Sequence, residues 1–139
     1  MQVQIAKTDA DIEKCLDVML VLRPHLQTAN FLPLVKEMMQ EGYILAFIEN
    51  NGKAASVVGY RYQQYLYNGK HYYIDDLSTL PEERGHGFAG MLIDFVCEEA
   101  RKRNYTAVTL DSGYTRFDAH RLYLNKGFTM VCHHFSKTV

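Results

Sequence analysis

The amino-acid sequence predicts a mixed α+β (α/β) fold, a mostly antiparallel central sheet with helices on both of its faces. Three observations predict it. From Tyr43 to Leu80 the chain reads at the period of strands, divided by two turn signals, Asn50-Asn51-Gly52 and Tyr67-Asn68-Gly69. Before that stretch, apolar residues recur at helical spacing. After it, strand and helix patterns alternate, and strands that alternate with helices build a sheet covered by helices.

The elements follow in order. A short strand covers Val3 to Ala6. Thr8 and Asp9 can cap a helix whose apolar positions Ile12, Cys15, Leu16, Met19 and Leu20 recur at three and four, and Pro24 breaks it. A second helix is expected to begin near Pro33, a favoured first-turn residue, and to stop at Gly42. Strands Tyr43–Glu49, Ala54–Tyr65 and His71–Leu80 then form an antiparallel meander. A helix from about Gly87 to Arg103 presents Phe88, Met91, Leu92, Phe95, Val96 and Ala100 on one face. A strand Ala107–Asp111, a helix Asp118–Lys126 closed by Gly127 and a strand Phe128–Phe135 complete the expectation.

Composition narrows the function. The 139 residues, 47% hydrophobic, suit a single domain over 1–139 with a core that needs no disulfide or metal staple. With 15 Lys+Arg against 16 Asp+Glu, nothing argues for a nucleic-acid partner, which needs a basic surface. Cys15, Cys97 and Cys132 are odd in number and far apart, so they read as reduced thiols of a cytoplasmic protein. The N-terminus lacks the pattern of a secretory signal, and no apolar run is long enough to cross a membrane, so no membrane partner is expected. His133 and His134 are adjacent and would face opposite sides of a strand, His120 stands apart, and no metal site is expected.

The most informative segment is Leu80 to Gly90, LPEERGHGFAG, set between a strand and a strongly amphipathic helix. Glycines there let successive backbone N–H groups turn toward one point at a helix N-terminus, an arrangement that suits a pyrophosphate, and Arg84 can add a full charge. Gly85-x-Gly87-x-x-Gly90 also satisfies the dinucleotide fingerprint as a pattern. The Pro81-Glu82-Glu83 corner before it and the short chain after it argue against a dinucleotide fold. A plain strand-to-helix turn is the third reading.

Arg84-Gly85-His86-Gly87-Phe88-Ala89 matches R-x-x-G-x-[GA] and so resembles the coenzyme A pyrophosphate loop of the GNAT superfamily of N-acetyltransferases. Ile74-Asp75-Asp76-Leu77 resembles the strand that precedes the loop in that family, and Ala119 to Phe128 resembles its A-x-x-[FL]-Y-x-x-x-G-F segment. The resemblance covers about Tyr72 to Phe135. It implies a GNAT-like sheet with a splayed strand pair forming a coenzyme A slot, and transfer of an acetyl group from acetyl-CoA to a primary amine of a small molecule or peptide within a ternary complex.

The resemblance also implies roles. Backbone groups of Arg84, Gly85, His86, Gly87, Phe88, Ala89 and Gly90 would hold the pyrophosphate, and the edge Leu77, Ser78, Thr79 would pair with the pantetheine amides as an added strand. An N–H near Leu77 would face the thioester oxygen. Tyr123 matches the family's general acid and Asp75 its acidic residue, as base or amine anchor. Adjacent strand residues alternate, so Asp75 and Asp76 are expected on opposite faces. Where relatives carry Asn seven residues before the tyrosine, this chain has Arg116, which can reach a phosphate instead. Alternation along the strand puts Tyr60 and Tyr62 on one face, where they either line an amine pocket or pack a helix; Arg23, at an acceptor loop or a simple helix end, is assigned with them, Asp76 and Ser112 to the acceptor side. A homodimer is a further implication of the resemblance. The alternative is a non-catalytic acyl-CoA sensor or interaction module of the same fold.

Overall fold

A computed structural model describes residues Met1–Val139. Its five-stranded sheet has the order β1-β2-β3-β4-β5, from Val3–Ile5 (β1), Tyr43–Asn50 (β2), Lys53–Tyr65 (β3), Gly69–Thr79 (β4) and Ala107–Leu110 (β5). All neighbours are antiparallel except β4 and β5, which run parallel. The β2–β3 turn works because Asn51 (φ 53°) and Gly52 (φ 80°) both adopt left-handed backbone, as a two-residue primed turn requires.

Helices α1 (Asp9–Lys14), α2 (Leu16–Leu22) and α3 (Thr28–Gln40) cover one face. Ile12, Val18, Phe31 and Val35 meet Leu45, Phe47 and Val57 in a core there. The first predicted helix is two: the chain breaks at Cys15, and Thr8 starts α1 through a reciprocal capping box with Asp11. Helix α3 begins before the predicted Pro33, which lies inside it rather than in its first turn. The other face packs α4 (Phe88–Lys102) through Phe88, Leu92, Val96 and Ala100 against Ile48, Val58, Tyr60 and Tyr72. A last helix, α5 (Phe117–Asn125), follows β5.

Two departures matter. Strand β4 pairs with β5 only from His71 to Ile74, so Asp75 to Thr79 are bonded on the β3 side alone. The expected strand Phe128–Phe135 is not formed, and residues 128 to 139 have no regular structure. Strands form only where a neighbour supplies hydrogen bonds, and the outer edge of β5 is left without one.

Candidate active site

The open edge of β4 can be read group by group. The Leu80 N–H donates to the Ala55 carbonyl at 2.9 Å. Antiparallel hydrogen-bonded pairs recur every second residue, so Ser78 and Asp76 also turn their backbone toward β3. The N–H and C=O groups of Leu77 and Thr79 therefore face the opening. Ser78 fixes this frame from its side chain: its Oγ donates to the Val18 carbonyl at 2.9 Å, tying β4 to α2.

Past β4, the 3-10 turn Pro81–Glu83 leads into the glycine loop. Gly85 (φ 82°) and Gly87 (φ 79°) are both left-handed, and Gly87 caps α4. The amides of residues 85 to 90 donate to no group of the chain, whereas the Met91 amide already bonds back to the Gly87 carbonyl at 3.0 Å. A run of unpaired N–H groups at the start of a helix of 15 residues is an anion cradle. Glu83, buried beneath it, accepts from Asn50 Nδ2 at 2.7 Å, and its carbonyl meets His86 Nδ1 at 2.9 Å. These bonds brace the loop against the β2–β3 end of the sheet.

Two cavities meet between β4 and α5. One, of about 680 Å³, runs from Arg84, Gly85 and Ala89 past Ser78 and Thr79 to Tyr123. The other, of about 130 Å³, is bordered by Arg23, Asp75, Asp111 and Ser112. Leu22, Leu77, Arg116 and Tyr123 line both. Tyr123 thus stands at the junction, its hydroxyl bonded to nothing in the chain, and its ring 6.0 Å from that of Phe128. Burial pushes its phenol above the ordinary value of 10.0, and nearby Arg116 pulls the other way.

A β-bulge alters the expected placement of the two aspartates. Gly59 pairs with Asp76 and Tyr60 with Ile74, so Asp75 is an extra residue on β4. Strict alternation fails there, and both carboxylates enter one polar cluster. Asp76 accepts from Tyr43 Oη at 2.7 Å and from Arg23 Nε at 3.0 Å. Asp75 accepts from Arg61 Nε at 2.9 Å and Nη2 at 2.8 Å, and Arg61 lies 5.4 Å over the Tyr43 ring. Burial raises the Asp75 carboxyl above its ordinary 3.8; Arg61 opposes this, and the Asp76 charge adds to it.

Removing the opposing charge should therefore move Asp75 further up. In Arg61→Gln, carbon-detected NMR titration is expected to find the Asp75 carboxyl protonating at higher pH than in the parent chain. A value equal to or below the parent's would refute the balance of burial against Arg61.

The other sequence-predicted residues divide. Arg23, which also donates to the Asp75 carbonyl at 3.0 Å, and Ser112 border the small cavity. Phe88 is buried in the α4 core, which leaves only its amide for the loop. Asp76 borders neither cavity and acts by holding Arg23. Tyr60 and Tyr62 do not join the site. Tyr60 is 1% exposed and packs edge-on against Tyr72 at 4.9 Å, because its strand position faces α4. Tyr62 lies against Tyr105 at 5.3 Å, outside both cavities. Sequence reasoning missed Tyr43, Arg61, Glu83 and Asp111. Asp111 borders the small cavity and accepts from Tyr73 Oη at 2.7 Å. No local pattern marks these four residues, which act through partners distant in sequence.

Comparison with known proteins agrees with this geometry. The acetyltransferase (GNAT) family model matches residues 13–128. The uncharacterized N-acetyltransferase YhdJ of Bacillus subtilis is 34% identical over 124 residues, 88% of this chain and 87% of YhdJ. Aminoalkylphosphonate N-acetyltransferase of Salmonella typhimurium is 29% identical over 90 residues, 64% of this chain and 58% of that protein. The solved ribosomal-protein-alanine N-acetyltransferase of Brucella melitensis superposes with a TM-score of 0.84 at 13% identity, covering 100% of both chains. A cradle, an open strand edge and a family match along most of the chain lead to one assignment: the chain belongs to the acetyltransferase (GNAT) family.

Proposed function

We propose that the chain transfers an acetyl group from acetyl-CoA to a primary amine of a small molecule or peptide, by direct attack with both substrates bound. The meeting of the two cavities at Leu77 and Tyr123 carries this reading: one chamber suits a long phosphorylated donor, the other a short polar acceptor. Acetyl-CoA supplies the activated acetyl thioester. The donor chamber fits it, because unpaired amides of residues 85 to 90, Arg84 and Arg116 offer positive potential to a diphosphate. The Leu77 and Thr79 backbone groups offer the bonds of an added strand to an amide-bearing arm, and the Leu77 N–H can also stabilise a developing oxyanion.

In the acceptor chamber, Asp75 holds or removes a proton of the incoming ammonium, directly or through water. An alkyl amine with a pKa near 10.4 is almost wholly protonated at neutral pH, so deprotonation costs about 4–5 kcal/mol, which a positioned base partly offsets. The raised Asp75 carboxyl makes it a stronger base than an ordinary aspartate. Tyr123, kept protonated by burial, returns a proton to the departing sulfur. Arg23 and Ser112 border the amine's path, with Asp76 holding Arg23 in place.

The test is thiol release from acetyl-CoA over a panel of small amines and N-terminal peptides, beside thermal shift with acetyl-CoA and with NAD. A shift with acetyl-CoA and turnover of at least one amine are expected. No shift with acetyl-CoA would overturn the reading. Binding without turnover on any amine would replace it with a sensor.

The cradle gives a further expected result. Nothing lies within 4 Å of where a Gly85 Cβ would stand, so Gly85→Val should fold. A β-branched residue at positive φ is strained by about 1–2 kcal/mol, and recovering the native loop to bind costs that amount, roughly ten-fold in acetyl-CoA affinity. Calorimetric titration reads it, and an unchanged Kd would remove the loop from the donor site.

A further inference from the structure

The three aspartates where β4 and β5 part are not equivalent. Asp75 is matched to a guanidinium, with Arg61 Nε at 2.9 Å and Nη2 at 2.8 Å. Asp76 is matched to another: one oxygen accepts from Arg23 Nε at 3.0 Å, and the other accepts from Tyr43 Oη at 2.7 Å. Asp111 has no such partner. It accepts from a neutral phenol, Tyr73 Oη at 2.7 Å, and the nitrogen beside it is His134 Nδ1 at 3.3 Å, on an exposed ring that is charged only when protonated. Its place is also telling. Leu110 ends β5 opposite Ile74 and the strands then part, so Asp111 follows on one wall of the gap and Asp75 on the other. Both border the small cavity, together with Tyr123. Burial, then the bond to Asp111 and the charges of Asp111 and Asp75, push the Tyr73 phenol above its ordinary 10.0, so it remains a donor that fixes the Asp111 carboxylate. At about 130 Å³ the cavity holds roughly four water molecules, so only an amine and the few atoms next to it enter.

We infer that Asp111 anchors the acceptor's ammonium, with Tyr73 as its positioning residue, and that the acceptor is an alkyl amine that arrives charged on a slim, unbranched end. The inference rests on the proposed acetyl transfer and divides the work of its acceptor chamber between two carboxylates. Asp75, already occupied by Arg61, holds a second cation poorly, and its raised carboxyl suits the proton removal that follows. One proton passes from the anchored ammonium to Asp75, directly or through water, and frees the nitrogen lone pair. The N–C bond then forms, the C–S bond breaks and sulfur takes its proton from Tyr123. The surplus proton of the new amide restores the phenol, and Asp75 gives its own to solvent. An arylamine, uncharged at neutral pH, gains no ion pair from Asp111 and is selected against.

The test uses the full chain and the amine that turns over fastest in the panel. Asp111→Asn keeps the shape of the side chain and removes its charge. KM for the amine should rise about ten-fold, the effect of one charge-assisted hydrogen bond. Acetyl-CoA affinity and kcat should stay level, since binding shared by ground and transition states is what is lost. Tyr73→Phe should raise KM in the same direction by less, again at level kcat. The alcohol with a hydroxyl in place of the amine, used as a competitive inhibitor, brings no charge and should bind parent and Asp111→Asn alike. Asp75→Asn should lower kcat instead. An active parent with an unchanged KM in Asp111→Asn would overturn the anchor alone. So would an alcohol inhibition constant that rises in step with KM, as a damaged cavity gives, or a KM effect carried by Asp75→Asn in its place. A parent that turns over no amine overturns the transfer itself, and the anchor falls with it.

Discussion

Tyr123→Phe is expected to lower kcat by about 10²- to 10⁴-fold, the range contributed by a positioned proton donor, with acetyl-CoA affinity and thermal stability nearly unchanged. The substitution deletes one oxygen that bonds to nothing else in the chain and keeps the ring against Phe128, so packing survives. What is lost is the proton. Burial raises the phenol above 10.0, so it remains protonated throughout the neutral range and is always available to a leaving thiolate. Donation to a thiolate with a pKa near 8.5 is uphill by about 2 kcal/mol from an ordinary phenol, and burial of Tyr123 adds to that. The sign of the pH dependence follows. An essential acid fails when it deprotonates, so any alkaline fall due to Tyr123 lies above 10.0, and the Phe variant loses that limb. Steady-state kinetics with calorimetry separates the outcomes. Unchanged kcat would remove the proton-donor role; loss of acetyl-CoA binding would make Tyr123 a donor-site contact instead.

The parts of this site that could be read from the sequence are those set by neighbours along the chain. Asn51-Gly52 announces its turn because few residues tolerate two successive left-handed backbones. Gly85 and Gly87 announce the loop for the same reason, and Tyr123 is found through the segment that surrounds it. The parts that could not be read depend on partners far away. Pro33 was a plausible start for α3, yet the helix takes in five residues before it, since burying Phe31 in the core outweighs a lost interior bond. The opposite-face expectation for Asp75 and Asp76 failed because a bulge arises from the register of β3 against β4, which alternation along one strand cannot reveal. Tyr60 belongs to the core by its register against Tyr72, the packing that strand alternation alone left open beside an amine pocket. The expected final strand Phe128–Phe135 is not formed, because its pattern along the chain says nothing of a hydrogen-bonding neighbour and its backbone finds none.

Gly59→Ala should be the most damaging single methyl in the protein. Gly59 sits opposite Asp76 at the bulge, and a Cβ there would lie 1.8 Å from Tyr43 Oη and 2.4 Å from its Cζ. Those atoms belong to a rigid ring that is 4% exposed, with Arg61 over its face, so no flexible tip can swing aside. Tyr43 must leave its position and give up the hydrogen bond to Asp76. Overpacking costs about 1–3 kcal/mol and a bond to a charged group about 1.5–3, so the loss is about 3–5 kcal/mol. At roughly 3 °C per kcal/mol for a chain of this size, Tm should fall by about 10 °C or more. The cause is checked by a double-mutant cycle. Tyr43→Ala removes the obstructing ring at the cost of a cavity, and adding Gly59→Ala to it should then cost little, a coupling of about 2 kcal/mol or more. Full additivity, or a single variant that melts with the parent, would mean that the Gly59 and Tyr43 contact does not hold the bulge. If the contact does hold it, displacing Tyr43 also frees Arg61 and Asp76, and the surviving folded fraction should show an altered Asp75 titration.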